Sequence, residues 1–150
     1  NRDFEVVSII SNNRLSKNIK SCVNKFYKNV LLMELQTRLH KKKFFDTNVI
    51  FSVGYMKVIE KSIIVNFDVI NLHPSILPTY KGLMTQKRML INNEKNYGFT
   101  LHKVSNALDE GETISNKIRK ITTKDESELL YIHKCLEHEF VYKQIKDYLG

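Results

Sequence analysis

Asn71 and His73 flank Leu72 at the end of an apolar run, and Asp109 stands in the short stretch Leu108-Asp109-Glu110-Gly111. These three side chains have complementary abilities. An imidazole titrates near neutral pH and can take or give a proton as a bond forms. A side-chain amide can donate to a developing oxyanion, a contact whose loss costs about 3 kcal/mol. A carboxylate within reach of the imidazole fixes its tautomer and stabilises its charged form. Together they suit transfer of an acyl group to an amine. No Ser or Cys is placed as an evident covalent nucleophile, so direct transfer is the simpler chemistry. Spacing alone leaves a plainer reading open. A His beside Pro at a strand end is commonly a satisfied structural group, and an Asp before Glu-Gly is commonly a turn residue. His40, His102, His133 and His138 read as surface or core groups. His133 and His138 miss the i, i+4 spacing of a helical metal pair, and no metal site is expected.

The elements that must position these residues follow from apolar patterning. Val6 to Ile10 reads as a strand, closed by a cap at Ser11-Asn12-Asn13. Leu15, Ile19, Cys22, Val23 and Phe26 fall on one face of a helix. Asn29 to Leu35 is a second apolar run, followed by a weaker helix. Asn48 to Gly54 and Asp68 to His73 are a third and fourth strand. The last two are near-continuous rather than alternating, as parallel strands covered on both faces are. A helix is expected on Leu83 to Ile91. Residues 97–105 and 113–121 alternate like a hairpin pair, joined through Asn106 to Glu112. In the final helix Leu129, Ile132, Leu136 and Phe140 keep helical spacing, and Thr123 with Glu126 makes a capping-box pattern. The alternation predicts an α/β fold, an open and mostly parallel twisted sheet with flanking helices. Ligands of such sheets bind beyond the carboxyl ends of the strands, where Asn71, His73 and Gly54 fall.

The bulk properties bound the partners. A chain of 150 residues suits one domain spanning 1–150. No apolar run approaches a membrane span, and no signal peptide precedes the first strand, so no membrane partner is expected. Cys22 and Cys135 form no disulfide framework or metal spacing, which points to a reducing, cytoplasmic setting and to two small buried groups. The net charge of +8 is spread along the chain, with one tight run at His40-Lys41-Lys42-Lys43. That distribution favours an anionic small molecule over nucleic acid.

INLHPSILPTYKGL, followed by YGFTLHKVSNALDEGETI, resembles the folate-dependent formyltransferases. Their core pattern is Asn-x-His-Pro-Ser-Leu-Leu-Pro with a later Leu-Asp-x-Gly. The resemblance implies a Rossmann-like formyltransferase fold in which Asn71, His73 and Asp109 are the catalytic trio. It implies 10-formyltetrahydrofolate as formyl donor and a primary amine as acceptor. FSVGYMKVI is similar to the family's Gly-Phe-Met-Arg-Ile-Leu segment. Tyr55, Met56, Lys57, Val58 and Ile59, with Asn106, Ala107, Leu108 and Glu110, would then form the folate pocket. Met56, Val58 and Ile59 read equally well as plain core. Gly54, Pro74, Ser75 and Glu137 would meet the acceptor.

The Leu before Pro78 and the pair Glu137-His138 resemble the glycinamide ribonucleotide branch. A phosphorylated small-molecule amine is therefore the leading acceptor. An amino-hexose sugar nucleotide is the alternative, and a non-catalytic folate- or partner-binding relative is a third reading. The chain also departs from the family. Ser11-Asn12-Asn13-Arg14 has no Gly where a Gly-rich phosphate loop is usual, and Lys81 replaces an Arg, keeping charge but losing the bidentate fork. The first strand matches the family's second, so a domain shortened by one βα unit, and lacking the stretch beyond Leu149, is expected. Such a loss would bare a sheet edge, which favours a homodimer. No second domain is expected to hold a tRNA.

Overall fold

A computed structural model of the chain describes residues 8–11, 16–18, 20–21, 31–34 and 47–149. Lys17, Asn18, Lys20 and Ser21 are helical, while the apolar face of the expected first helix (Leu15, Ile19, Cys22, Val23 and Phe26), the cap at Asn12-Asn13 and the lysine run lie outside the described residues. Strands β1 (Ser8–Ser11) and β2 (Leu31–Glu34) pair in parallel, with Ser8 opposite Leu31. A second sheet has the order β3-β4-β5-β6, formed by Val49–Val53, Asp68–His73, Asn96–Lys103 and Thr113–Lys120. β3 and β4 are parallel, while β4–β5 and β5–β6 are antiparallel. The open α/β sheet with flanking helices is therefore mixed: the expected hairpin is β5–β6, and its first strand also pairs antiparallel with β4.

After β3 the chain forms the helices α1 (Lys61–Ile64), α2 (Thr85–Ile91) and α3 (Glu126–Leu149). At 24 residues, α3 runs about 36 Å. It presents Leu129, Ile132, Leu136 and Phe140 to the sheet, where Phe140 joins Ile70, Leu72, Phe99 and Leu101 in the main core. Cys135, on the same helix, is exposed, so the expectation of a buried thiol is corrected here. The cap of α3 also differs. Both Thr123 and Asp125 can cap, and the helix begins after the later one. The Asp125 carboxylate accepts the Glu128 N–H at 2.8 Å, and Thr123 Oγ1 accepts the Asp125 N–H at 3.1 Å. Among the described residues, no helix is long and apolar enough to cross a membrane.

Candidate active site

Strand pairing builds the centre of the site. In register, Asn71 lies opposite His102 across the antiparallel β4–β5 pair. Asn71 Nδ2 donates to His102 Nε2 at 3.2 Å, and His102 Nδ1 donates to the Lys103 carbonyl at 2.8 Å. The carbonyl only accepts, so the proton sits on Nδ1 and the Nε2 lone pair faces the amide. Burial pushes the His102 pKa down, against the pull of the Lys103 carbonyl and Asp109 and with the push of His73. His102 is thus a neutral clamp on Asn71. A register irregularity at Leu101/His102 places this clamp beside a bulge, a feature that re-aims side chains.

His73 is 4% exposed, and its ring makes a T-shaped pair with His102, centroids 6.3 Å apart. Its Nε2 donates to the Tyr80 carbonyl at 2.7 Å, while Nδ1 faces Asp109 Oδ2 at 3.5 Å. Both nitrogens therefore face oxygen atoms, one a carbonyl and one a carboxylate. Asp109 Oδ1 lies 3.8 Å from His102 Nε2, and Oδ2 accepts the Gly82 N–H at 2.7 Å. Asp109 has a φ of 53°, a left-handed conformation that Asp tolerates. An amide, an imidazole and a carboxylate meet here.

The loop between β4 and α2 is held from several sides. Ser75, expected at the acceptor, is fully buried and its hydroxyl donates to the Tyr80 carbonyl at 2.6 Å. With no surface of its own, it shapes the loop. Thr100 Oγ1 donates to the Ser75 carbonyl and accepts the Leu77 N–H, next to a cis Leu77–Pro78 bond. The Pro74 carbonyl accepts from Thr85 Oγ1 at 2.9 Å. Lys81 pairs with Glu110 at 2.8 Å on the surface, beside the Gly82–Asp109 bond.

The other expected residues separate by burial. Met56, Val58 and Leu108 are exposed at 64%, 71% and 68%, so their side chains are available rather than core. Tyr55 and Ile59 pack against the buried Ile63 and Val69 beneath them. Gly54 ends β3 at a φ of 63°. Val53 lies in register with Leu72, so the loop from Gly54 leaves the sheet at the end where His73 stands. Lys57 is half-buried, and Asn106, Ala107 and Glu110 are exposed around Asp109. Glu137 sits half-buried on α3, its pKa raised by burial against the pull of His138 and Lys134, and no described contact joins it to the trio. Among the described residues, no group of three His, Cys, Asp or Glu side chains is arranged to hold a metal ion.

Sequence reasoning missed His102, Tyr80 and Gly111 as parts of this site. An ideal Cβ on Gly111 would lie 1.6 Å from the Lys103 carbonyl oxygen, the acceptor that fixes His102. The Gly of Leu-Asp-x-Gly is needed there for close approach. An imidazole beside Phe99 and Leu101 in β5 was the available signal for His102, since a buried imidazole requires partners.

Residues 6–144 match the formyl transferase family. The chain is 31% identical over 130 residues to phosphoribosylglycinamide formyltransferase of Bacillus subtilis, covering 84% of this chain and 66% of that protein. It is 34% identical over 128 residues to the bifunctional polymyxin resistance protein ArnA of Wigglesworthia glossinidia brevipalpis, covering 83% of this chain and 19% of that protein. The chain thus spans less than two thirds of either relative. Phosphoribosylglycinamide formyltransferase from Bacillus halodurans has the same fold, with a TM-score of 0.80 at 22% identity over 97% of this chain and 81% of that one. With its Asn-x-His-Pro strand end and Leu-Asp-x-Gly loop brought together, the chain belongs to the formyl transferase family.

Proposed function

We propose that this chain transfers a formyl group from 10-formyltetrahydrofolate to the primary amine of glycinamide ribonucleotide. The observation that carries the reading is the convergence of Asn71, His73 and Asp109 in a chain of the formyl transferase family. The relative from Bacillus subtilis is named a phosphoribosylglycinamide formyltransferase.

The donor supplies a formyl carbon that an amine can attack. Asn71, oriented by His102, offers its second amide hydrogen to the formyl oxygen as negative charge builds there. His73, flanked by the Tyr80 carbonyl and Asp109, stabilises the same charge when it carries the proton that the family mechanism calls for. As the C–N bond forms the amine sheds a proton, which the carboxylate of Asp109 receives. A proton returns to the folate nitrogen as its bond to the formyl carbon breaks. Met56, Val58 and Leu108 provide apolar surface for the pteridine, supported from below by Tyr55 and Ile59. Lys57, Asn106, Ala107 and Glu110 complete that pocket, with Gly54 and Pro74 framing the acceptor. Glu137 is assigned to the acceptor on the family pattern alone.

Tetrahydrofolate release tests this with glycinamide ribonucleotide, with an amino-sugar nucleotide and with no amine. Release that needs both glycinamide ribonucleotide and His73, and that His73→Ala abolishes, is the expected result. Release only with the amino sugar would move the acceptor to the sugar nucleotides, and release without any amine would make water the acceptor. No release in any arm, with folate still bound, would overturn the reading.

A further inference from the structure

We propose that Tyr80 is a positioning residue for His73, acting through a backbone carbonyl whose place is set by the hydrogen bonds of its own phenol. The inference rests on the proposed role of His73 in formyl transfer.

The Tyr80 carbonyl accepts from His73 Nε2 at 2.7 Å and from Ser75 Oγ at 2.6 Å. It is thus the partner of the imidazole nitrogen that does not face Asp109. The segment carrying it, residues 74–84, is neither helix nor strand. No regular ladder therefore holds this carbonyl, and its position depends on what holds Tyr80.

The side chain supplies that hold. Tyr80 is 6% exposed, and its ring packs with Met89, Tyr97 and Leu129. The hydroxyl donates to Glu94 Oε1 at 2.7 Å and accepts from Asn92 Nδ2 at 2.9 Å. Asn92 caps the C-terminus of α2, and the Glu94 N–H donates to the Met89 carbonyl at 3.0 Å. Both partners of the phenol are therefore anchored to one helix end. Arg88, from the last turn of α2, lies 5.3 Å from the centre of the Tyr80 ring and donates to the Lys81 carbonyl at 2.6 Å. The end of α2 thereby fixes two successive carbonyls, and the first of them orients His73.

Phenylalanine at position 80 would keep the ring in its packing and remove only the tether, so the substitution separates positioning from core volume. In the full chain, Tyr80→Phe is expected to lower kcat for formyl transfer about tenfold, with KM for the donor within about twofold. The second readout does not need turnover. The His73 Nε2–H, buried and donating to a carbonyl, gives a slowly exchanging ring proton in NMR. That resonance is expected in the parent protein and lost or broadened in Tyr80→Phe. Glu94→Ala, which leaves the ring untouched, is expected to reproduce both effects, and Glu94→Gln, which retains an acceptor, to restore most of each. The double variant Tyr80→Phe/Glu94→Ala is expected to lose no more than either single one.

An unchanged ring proton in Tyr80→Phe and Glu94→Ala would overturn the proposal, whatever happens to kcat. So would a kcat within twofold of the parent. If the parent protein transfers no formyl group yet the ring proton responds as described, the functional reading fails and the positioning of His73 by Tyr80 stands.

Discussion

Two buried histidines stand in different regions of this molecule, and only one is equipped for chemistry. His133, on α3, is 2% exposed and lies against the rings of Tyr97 and Phe99. It donates through Nε2 to the Gly98 carbonyl at 3.2 Å and accepts at Nδ1 from Gln86 Nε2 at 2.5 Å. Burial pushes its pKa down to about 4, against the pull of the Gly98 carbonyl, so it is neutral at pH 7. His73 is about as buried, yet a carboxylate faces its second nitrogen instead of an amide. The amide gives the first ring an inert tautomer. The carboxylate sets an acidic partner beside the second ring. The partner of the second nitrogen, more than burial, distinguishes a strut from a candidate catalyst.

The contrast is broken most directly at Asp109. Asp109→Asn keeps an oxygen for the Gly82 N–H but removes the charge facing His73. Formyl transfer is expected to fall about a thousandfold with the fold retained, checked by tetrahydrofolate release beside circular dichroism. His133→Ala should do the reverse. It empties a packed site and leaves the Gly98 carbonyl without its donor, so the expected cost is about 3 kcal/mol in urea unfolding, with kcat per folded molecule unchanged.

Acid sharpens the comparison further. As pH falls below about 6.5 the unfolded chain takes up a proton that buried His133 refuses until about pH 4. Stability is therefore full above that window and declines through it, by up to about 3 kcal/mol. His102, also pushed down by burial, acts in the same direction. Unfolding midpoints at pH 7 and pH 4.5 should converge more in His133→Ala than in the parent protein. Gly111→Ala ranks next. Its new methyl must displace the Lys103 carbonyl that holds His102, and a loss of about tenfold in kcat is expected. Lys81→Met is the smallest change, since its ion pair with Glu110 is exposed. Stability should move by less than about 1 kcal/mol, and raising the salt concentration should erase the difference.

Much of this architecture was legible in local pattern. The near-continuous apolar runs marked β3 and β4, the alternating pair marked the β5–β6 hairpin, and helical spacing from Leu129 to Phe140 marked α3. Elements without local pattern escaped. α1 is a single turn of four residues containing two isoleucines, too short for periodicity to register. The cap of α3 fell at Asp125 because two cap-competent residues stand two apart. In the site, Asn71, His73 and Asp109 were legible from residue type and motif, whereas His102 was not. Its role depends on the register between strands whose partner residues lie 31 apart, and nothing near His102 encodes that register. The same holds for the Tyr80 carbonyl, a backbone atom on which side-chain chemistry is silent.

The bond from the Gly82 N–H to Asp109 joins two residues that both sit at positive φ, 76° and 53°. Nothing lies within 4 Å of an ideal Cβ on Gly82, so room is not what its glycine supplies there. What it supplies is handedness. An L-alanine at position 82 would be strained by its mirror-image backbone, while a D-alanine introduced by chemical synthesis would find that conformation its own. The loop beside the candidate site could therefore be stiffened by inverting one stereocentre without adding a contact.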